Sequence, residues 1–172
     1  EGVTSIGQCA FYFCDGPTNV SIPASITRIG ECAFSYCLNL KTIDVASDNE
    51  KYCTQQGVLF DKQCRTLIVC PALKSGEYTI PGSVTSIDNY AFDGCSQLTR
   101  ITVPESVTSI GLYAFANCNS LTSIKIPSNI TSIAEGMFTG CNGLTNVIIP
   151  DNVTDIGVQA FYSCSSLKTI TL

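Results

Sequence analysis

Apolar residues recur along this chain with a period of 23 residues, and each period contains distinct local patterns. An aliphatic residue opens each unit at Val3, Ile26, Val84, Val107, Ile130 and Val153, with spacings of 23, 58, 23, 23 and 23. Position two is always Thr (Thr4, Thr27, Thr85, Thr108, Thr131, Thr154). Position nine is always Phe (Phe11, Phe34, Phe92, Phe115, Phe138, Phe161), and position twelve is always Cys (Cys14, Cys37, Cys95, Cys118, Cys141, Cys164). The tails follow L-x-x-I-x-I-P, as in Leu121, Ile124, Ile126 and Pro127. Alternation in the tail predicts a short strand with one buried face, which proline ends because it lacks an N–H for the next ladder bond. The V-T-x-I stretch alternates again and predicts a second strand on the opposite side of a coil. Gly7, Gly30, Gly111 and Gly157 then allow a sharp change of direction. In A-F-x-x-C, Phe and Cys stand three residues apart, which predicts a short helix or 3₁₀ turn with both side chains inward.

One coil of this size cannot enclose a core, whereas stacked coils bury a continuous one and pair each strand with the next. The spacing of 58 is 23 plus 35, so an irregular unit occupies 49–83. There the apolar runs Val58–Phe60 and Leu67–Cys70 flank the polar Asp61–Arg65, which predicts a hairpin in place of the outer half. The expected architecture is a single α/β solenoid domain over 1–172. It has a right-handed superhelix, a parallel β-sheet on one face and short helices or turns on the other. The six Phe rings should stack as an interior column, broken between Phe34 and Phe92. Neither end carries a polar cap of the kind terminal repeats need, so the chain is expected to be a fragment of a longer array.

The L-x-x-I-x-I spacing resembles the leucine-rich repeat, and I-P-x-x-V-T-S-I-G-x-x-A-F-x-x-C-x-x-L resembles the BspA-like, treponemal type. The unit G-V-L-F-D-K…T-L-I-V-C-P…Y-T-I-P is similar to an irregular unit common in those proteins. The resemblance covers essentially the whole chain. It implies a surface or secreted protein of oral or gut bacteria or mucosal protists, similar to adhesins. The partner so implied is a host or matrix protein or another cell surface. A structural spacer and an intracellular scaffold are the alternatives. Leucine is scarce in the tails, where Ile and Val stand instead, as suits strands.

Composition narrows the function further. Nine Lys+Arg against fourteen Asp+Glu give a net charge of -5, which argues against nucleic acid as a partner. No run of about 18 apolar residues exists to span a bilayer, so no membrane insertion is expected within this segment. Histidine is absent, which removes the commonest general base and metal ligand. No cofactor, metal or catalytic group is expected.

The eleven cysteines are where chemistry could hide. Position-twelve rungs should lie about 4.8 Å apart with parallel side chains, whereas a disulfide needs converging Cβ atoms near 3.8 Å. A column of buried thiols is therefore expected, while Cys53, Cys64 and Cys70 of the irregular unit leave a disulfide open. The sequons at Asn19, Asn129 and Asn152 are possible glycosylation sites, although Thr at position two generates N-x-T automatically. Binding is expected on the outward residues of the tail strands: Asn19, Thr42, Asp44, Glu77, Thr79, Arg100, Thr102, Ser123, Lys125 and Asn146, together with Ser21, Ile148, Thr169 and Thr171. A second candidate is the aromatic set Tyr12, Phe13 and Tyr36.

Overall fold

In the computed structural model, which describes residues 2–171, the chain winds into a parallel β-solenoid of seven coils. The tails form a front row: β2 (Asn19–Ile22), β4 (Thr42–Val45), β8 (Gly76–Thr79), β10 (Leu98–Thr102), β12 (Ser123–Lys125), β14 (Asn146–Ile148) and β16 (Thr169–Thr171). The V-T-x-I stretches form a back row: β1 (Ser5–Ile6), β3 (Arg28–Ile29), β9 (Ser86–Ile87), β11 (Ser109–Ile110), β13 (Ser132–Ile133) and β15 (Asp155–Ile156). The irregular unit supplies β5 (Tyr52–Gln55), β6 (Val58–Asp61) and β7 (Thr66–Val69). Regular coils pair in parallel at an offset of 23, as in Ser5 with Arg28 and Asn146 with Thr169. The period of the sequence is thus the register of the sheets.

The outer side contains no helix among the described residues, which corrects the expected short helices. It is a row of successive turns. In the first coil Ala10, Tyr12 and Cys14 donate N–H groups three residues back, to Gly7, Cys9 and Phe11. The intervening N–H groups of Cys9, Phe11 and Phe13 reach forward to Glu31, Ala33 and Ser35 of the next coil. The same forward ladder runs from Tyr113, Phe115 and Asn117 to Glu135, Met137 and Thr139. A helix would spend every N–H within its own coil; this row spends alternate ones between coils. The alternation needs left-handed backbone at positions seven and eleven. Cys9, Phe13, Cys32, Tyr36, Tyr90, Tyr113, Asn117, Gln159 and Ser163 adopt it with φ of 52–61°, and Gly94, Gly136 and Gly140 complete the set.

The rings stack in two runs as expected, but the column is interior only at Phe34, Phe92, Phe115 and Phe138: Phe11 is exposed and Phe161 half-buried, because each belongs to an end coil covered on one side only. Centroids of Phe11 and Phe34 lie 5.4 Å apart, and Phe92, Phe115, Phe138 and Phe161 follow one another at 5.2, 5.6 and 5.4 Å. Between the runs, Cys70 stands at the Phe place: its N–H donates to Ala91 O, as Phe92 N–H does to Ala114 O.

The irregular unit is a three-stranded antiparallel meander, one strand more than the expected hairpin. Strand β5 closes onto β6 through Gln56 and Gly57, with φ of 52° and 78°, the two positive values of a type I′ turn. Strand β7 then runs parallel to β9 and takes the back-row place of its coil, Leu67 beside Ile87. Strand β6 is buried on both faces. Leu59 packs into a core of the first two coils, with Ile22, Phe34 and Ile43. Val58 and Phe60 pack into the core that runs on through Phe92, Phe115 and Phe138. The single continuous core expected from stacking is therefore two cores divided by one strand, and the front row correspondingly breaks between β4 and β8. Asn49, fully buried, secures the junction: its Nδ2 donates to Pro23 O and Ile26 O, and its Oδ1 accepts from Lys51 and Tyr52 N–H.

Candidate binding face

Along the front row, inward residues such as Ile43, Ile101, Ile124 and Val147 are buried, so their neighbours point outward. Asn19, Ser21, Asp44, Glu77, Thr79, Arg100, Thr102, Ser123, Lys125, Asn146, Ile148, Thr169 and Thr171 are all exposed. Thr42 is the exception. The β5–β6 turn lies over it, such that a Cβ on Gly57 would fall 3.3 Å from Thr42 Cγ2, and Gly57 O accepts the N–H of Ile43. This turn divides the front face. Asn19, Ser21 and Asp44 lie on one side, and the run from Glu77 to Thr171 on the other. The Gln-Gly dipeptide was the available signal for the obstruction.

The longer run is knitted laterally. Thr169 Oγ1 donates to Asn146 Oδ1 at 2.8 Å, as Thr42 does to Asn19 at 2.8 Å on the shorter one. Charge is patterned as the sequence suggests, acid at Asp44 and Glu77, base at Arg100 and Lys125. Yet Lys125 is held by a residue outside the expected set: its Nζ lies 2.7 Å from Glu105 Oε1. Glu105 also accepts the N–H and Oγ–H of Ser128. The Lys125 bond first, then the Ser128 bonds, hold its carboxyl well below the usual range, at about 2. Next to this pair Ser123, Lys125, Asn146, Ile148, Ser128 and Pro150 border a cleft of about 400 Å³, and Ile148 stands 59% exposed on its rim.

The other expected features are placed as follows. Asn129 and Asn152 sit exposed in the turns after the tail strands, with Asn129 Nδ2 donating to Glu105 O at 2.7 Å. Asn19 lies within β2. Phe13 packs against Tyr36 at 4.4 Å and edge-on against Tyr12 at 4.6 Å, on the outer side, away from the front row. All eleven cysteines are free. Position-twelve thiols point at carbonyls: Cys37 Sγ at Phe11 O (3.0 Å), Cys118 at Phe92 O (3.4 Å), Cys141 at Phe115 O (3.0 Å) and Cys164 at Phe138 O (3.1 Å). Cys95 reaches Cys70 O in the same way at 3.5 Å. Burial pushes Cys118 well up and Cys141 to about 12, as befits thiols that stay protonated to donate. Among the described residues no group of three His, Cys, Asp or Glu is placed to hold a metal, and no helix is long and apolar enough to cross a membrane.

Parallel strands in two rows, joined by turns and repeated at 23 residues with L-x-x-I-x-I tails, define a leucine-rich repeat solenoid. The chain belongs to the BspA-type leucine-rich repeat family, whose model matches residues 1–67 and 69–172 in six copies. Among solved structures it is similar to a leucine-rich cell surface protein of Faecalibacterium prausnitzii, at 39% identity and a TM-score of 0.91 over 98% of this chain. It is also similar to the pneumococcal vaccine antigen PcpA (30% identity, TM-score 0.85, 88% of this chain). A leucine-rich repeat protein of Eubacterium ventriosum matches at 27% identity and a TM-score of 0.80 over the whole length. The chain spans 45%, 38% and 53% of those three chains respectively. No curated protein matches.

Proposed function

We propose that this chain is a non-catalytic binding module displayed at a cell surface, and that its contact face is the front row from β8 to β16. The observation that carries the reading is the cleft at Ser123, Lys125, Asn146 and Ile148. It puts an exposed aliphatic side chain beside a charge and several amide and hydroxyl groups, on strands whose inner faces lock them in place. Rigid sheets present such groups at low entropic cost, which favours recognition of a partner. The neighbours described as a cell surface protein and a vaccine antigen support a surface location. The partner in this reading is a host or matrix protein, or a protein of another cell.

The test is a binding screen of the fragment against matrix proteins and glycans, repeated with a Lys125→Glu/Ile148→Asp double variant. Both side chains face solvent and the Lys125–Glu105 pair is exposed, so the variant should stay folded, melting at most a few degrees below the parent, and bind at least about tenfold more weakly, a loss of about 1.4 kcal/mol. A partner bound equally well by the double variant would place the contact elsewhere. No partner at all would favour a spacer, whose front row tolerates wholesale substitution.

A further inference from the structure

Of the thiols outside the carbonyl ladder, two meet within the irregular unit. Cys53, on β5, and Cys64, in the turn between β6 and β7, bring their sulfurs to 3.0 Å. The meander itself creates this approach. Cys64 takes left-handed backbone (φ 54°), and its N–H donates to Asp61 O. Asp61 Oδ1 accepts the N–H groups of Arg65 and Thr66 at 2.7 and 2.8 Å, which pins the turn. On the facing strand, Cys53 Sγ lies 3.1 Å from Asp61 O. Both residues are half-buried, within reach of a solute, whereas Cys70, Cys95, Cys118 and Cys141 are buried.

We propose that Cys53 and Cys64 form a modification site, a dithiol that closes to a disulfide and fastens the meander on which both cores rest. The oxidant is a small-molecule or protein disulfide. The Cys64 thiolate attacks one sulfur of that donor and breaks its S–S bond. One donor thiol leaves with a proton, and a mixed disulfide remains on Cys64. Cys53, deprotonated in turn, attacks the Cys64 sulfur, forms the internal S–S bond and releases the second donor thiol. The protein loses two hydrogens and two electrons, and the donor gains both. Cys64 opens the exchange from the β6–β7 turn, where Gln55 Nε2 donates to its sulfur at 3.2 Å. Burial, and then the neighbouring Cys64, push the Cys53 thiol up to about 12, so Cys53 reacts second, once the Cys64 sulfur that it meets at 3.0 Å carries the mixed disulfide. Closing the loop restricts the unfolded chain. It ties β5 to the β6–β7 turn, and β5 in turn holds the second coil: Tyr52 Oη accepts from Ile29 N–H, and Thr54 Oγ1 donates to Ile43 O.

The experiment equilibrates the folded, fully reduced chain with glutathione disulfide, blocks the remaining thiols, digests with trypsin and maps cross-links by mass. Cleavage after Lys51, Lys62 and Arg65 separates the partners, so the expected product joins peptide 52–62 to peptide 63–65. The oxidised chain should melt several degrees above the reduced one, and a Cys64→Ser variant should lose both the cross-link and the shift. Three results would overturn the proposal. One is eleven free thiols after oxidation. Another is a first cross-link elsewhere, such as Cys9 to Cys32 (peptides 1–28 and 29–41) or Cys53 to Cys70 (peptide 66–74). The third is a 53–64 cross-link that leaves the melting temperature unchanged.

Discussion

The thiol of Cys141 donates to the backbone carbonyl of Phe115, one coil earlier, at 3.0 Å. In three other coils the Phe carbonyl accepts twice: Phe11, Phe92 and Phe138 each take the Cys N–H of their own coil and the Cys S–H of the next. Cysteine at position twelve is thus small enough for the interior and still a donor.

That dual role separates two substitutions at Cys141. If cysteine were only a small apolar filler, valine would replace it better than serine. Because the Phe115 carbonyl needs a donor, Cys141→Ser should cost less than Cys141→Val. Valine leaves a buried acceptor unpaired at about 1–3 kcal/mol. Urea midpoints of the two variants decide; valine above serine would refute the hydrogen-bonding role.

The turn row makes a second prediction. Ser163 holds φ at 58° without being glycine, and left-handed backbone costs an L-residue about 1–2 kcal/mol. Ser163→Gly should therefore raise stability, by less than that amount because glycine also loosens the unfolded chain. Ser163→Val should lower it by about 1 kcal/mol or more, since a β-branched residue fits that backbone worst. Denaturant titration measures both, and equal effects from Gly and Val would contradict the assigned backbone.

Asp93 gives the solenoid a pH dependence. It is 7% exposed, accepts from Asn117 Nδ2 at 2.9 Å, and lies on the outer row near Tyr12 and Cys32. Burial pushes its carboxyl from 3.8 up to about 6, against the opposing pull of the Asn117 and Gly94 bonds. A raised acid binds its proton more tightly folded than unfolded, so stability rises as pH falls from about 7 towards 4, by about 2–3 kcal/mol. Glu105, held low, works the other way at more acid pH, so the comparison is with Asp93→Asn. That variant should be more stable than the parent at pH 7, and the difference should vanish near pH 4. A gain that persists at pH 4 would assign the effect to packing.

Leu59 is fully buried and faces only the first core. Leu59→Ala should cost about 2–5 kcal/mol, spent on the first two coils. Hydrogen exchange should speed at the Phe11 and Leu40 amides, bonded to Ala33 O and Cys37 O, and stay unchanged at Phe115 and Phe138. Uniform acceleration along the chain would mean that the two cores unfold as one.

The rows were legible because period and register are the same number: Val107, Thr108 and Phe115 recur at 23, and their strands and rings pair at 23. The outer row was left open between short helices and turns because i, i+3 spacing of Phe and Cys suits both, and only the turns are formed. Its true signal was Gly94, Gly136, Gly140 and Asn117 at positions seven and eleven, masked by Tyr, Phe and Cys at the same places. Strand β5 escaped notice because Tyr52-Cys53-Thr54-Gln55 carries no apolar run; it is ordered by Asn49 and by contacts with coil two. On the front face the exposed residues followed from alternation alone. The covering of Thr42 and the capture of Lys125 by Glu105 depend on turns that alternation does not describe.

The two-faced strand β6 also sets how such an array can grow. A regular coil can be duplicated or deleted as a block of 23 residues, and every surviving neighbour finds the same partner, as Ser123 finds Asn146 and Asn146 finds Thr169. The meander has no such freedom. Leu59 is shaped to one side and Phe60 to the other, so a second copy beside the first would press a Leu59 face against a Phe60 face that neither coil was built to meet. Length can therefore vary on either flank while the partition stays single, and the distance from it to any coil is counted in whole strand spacings.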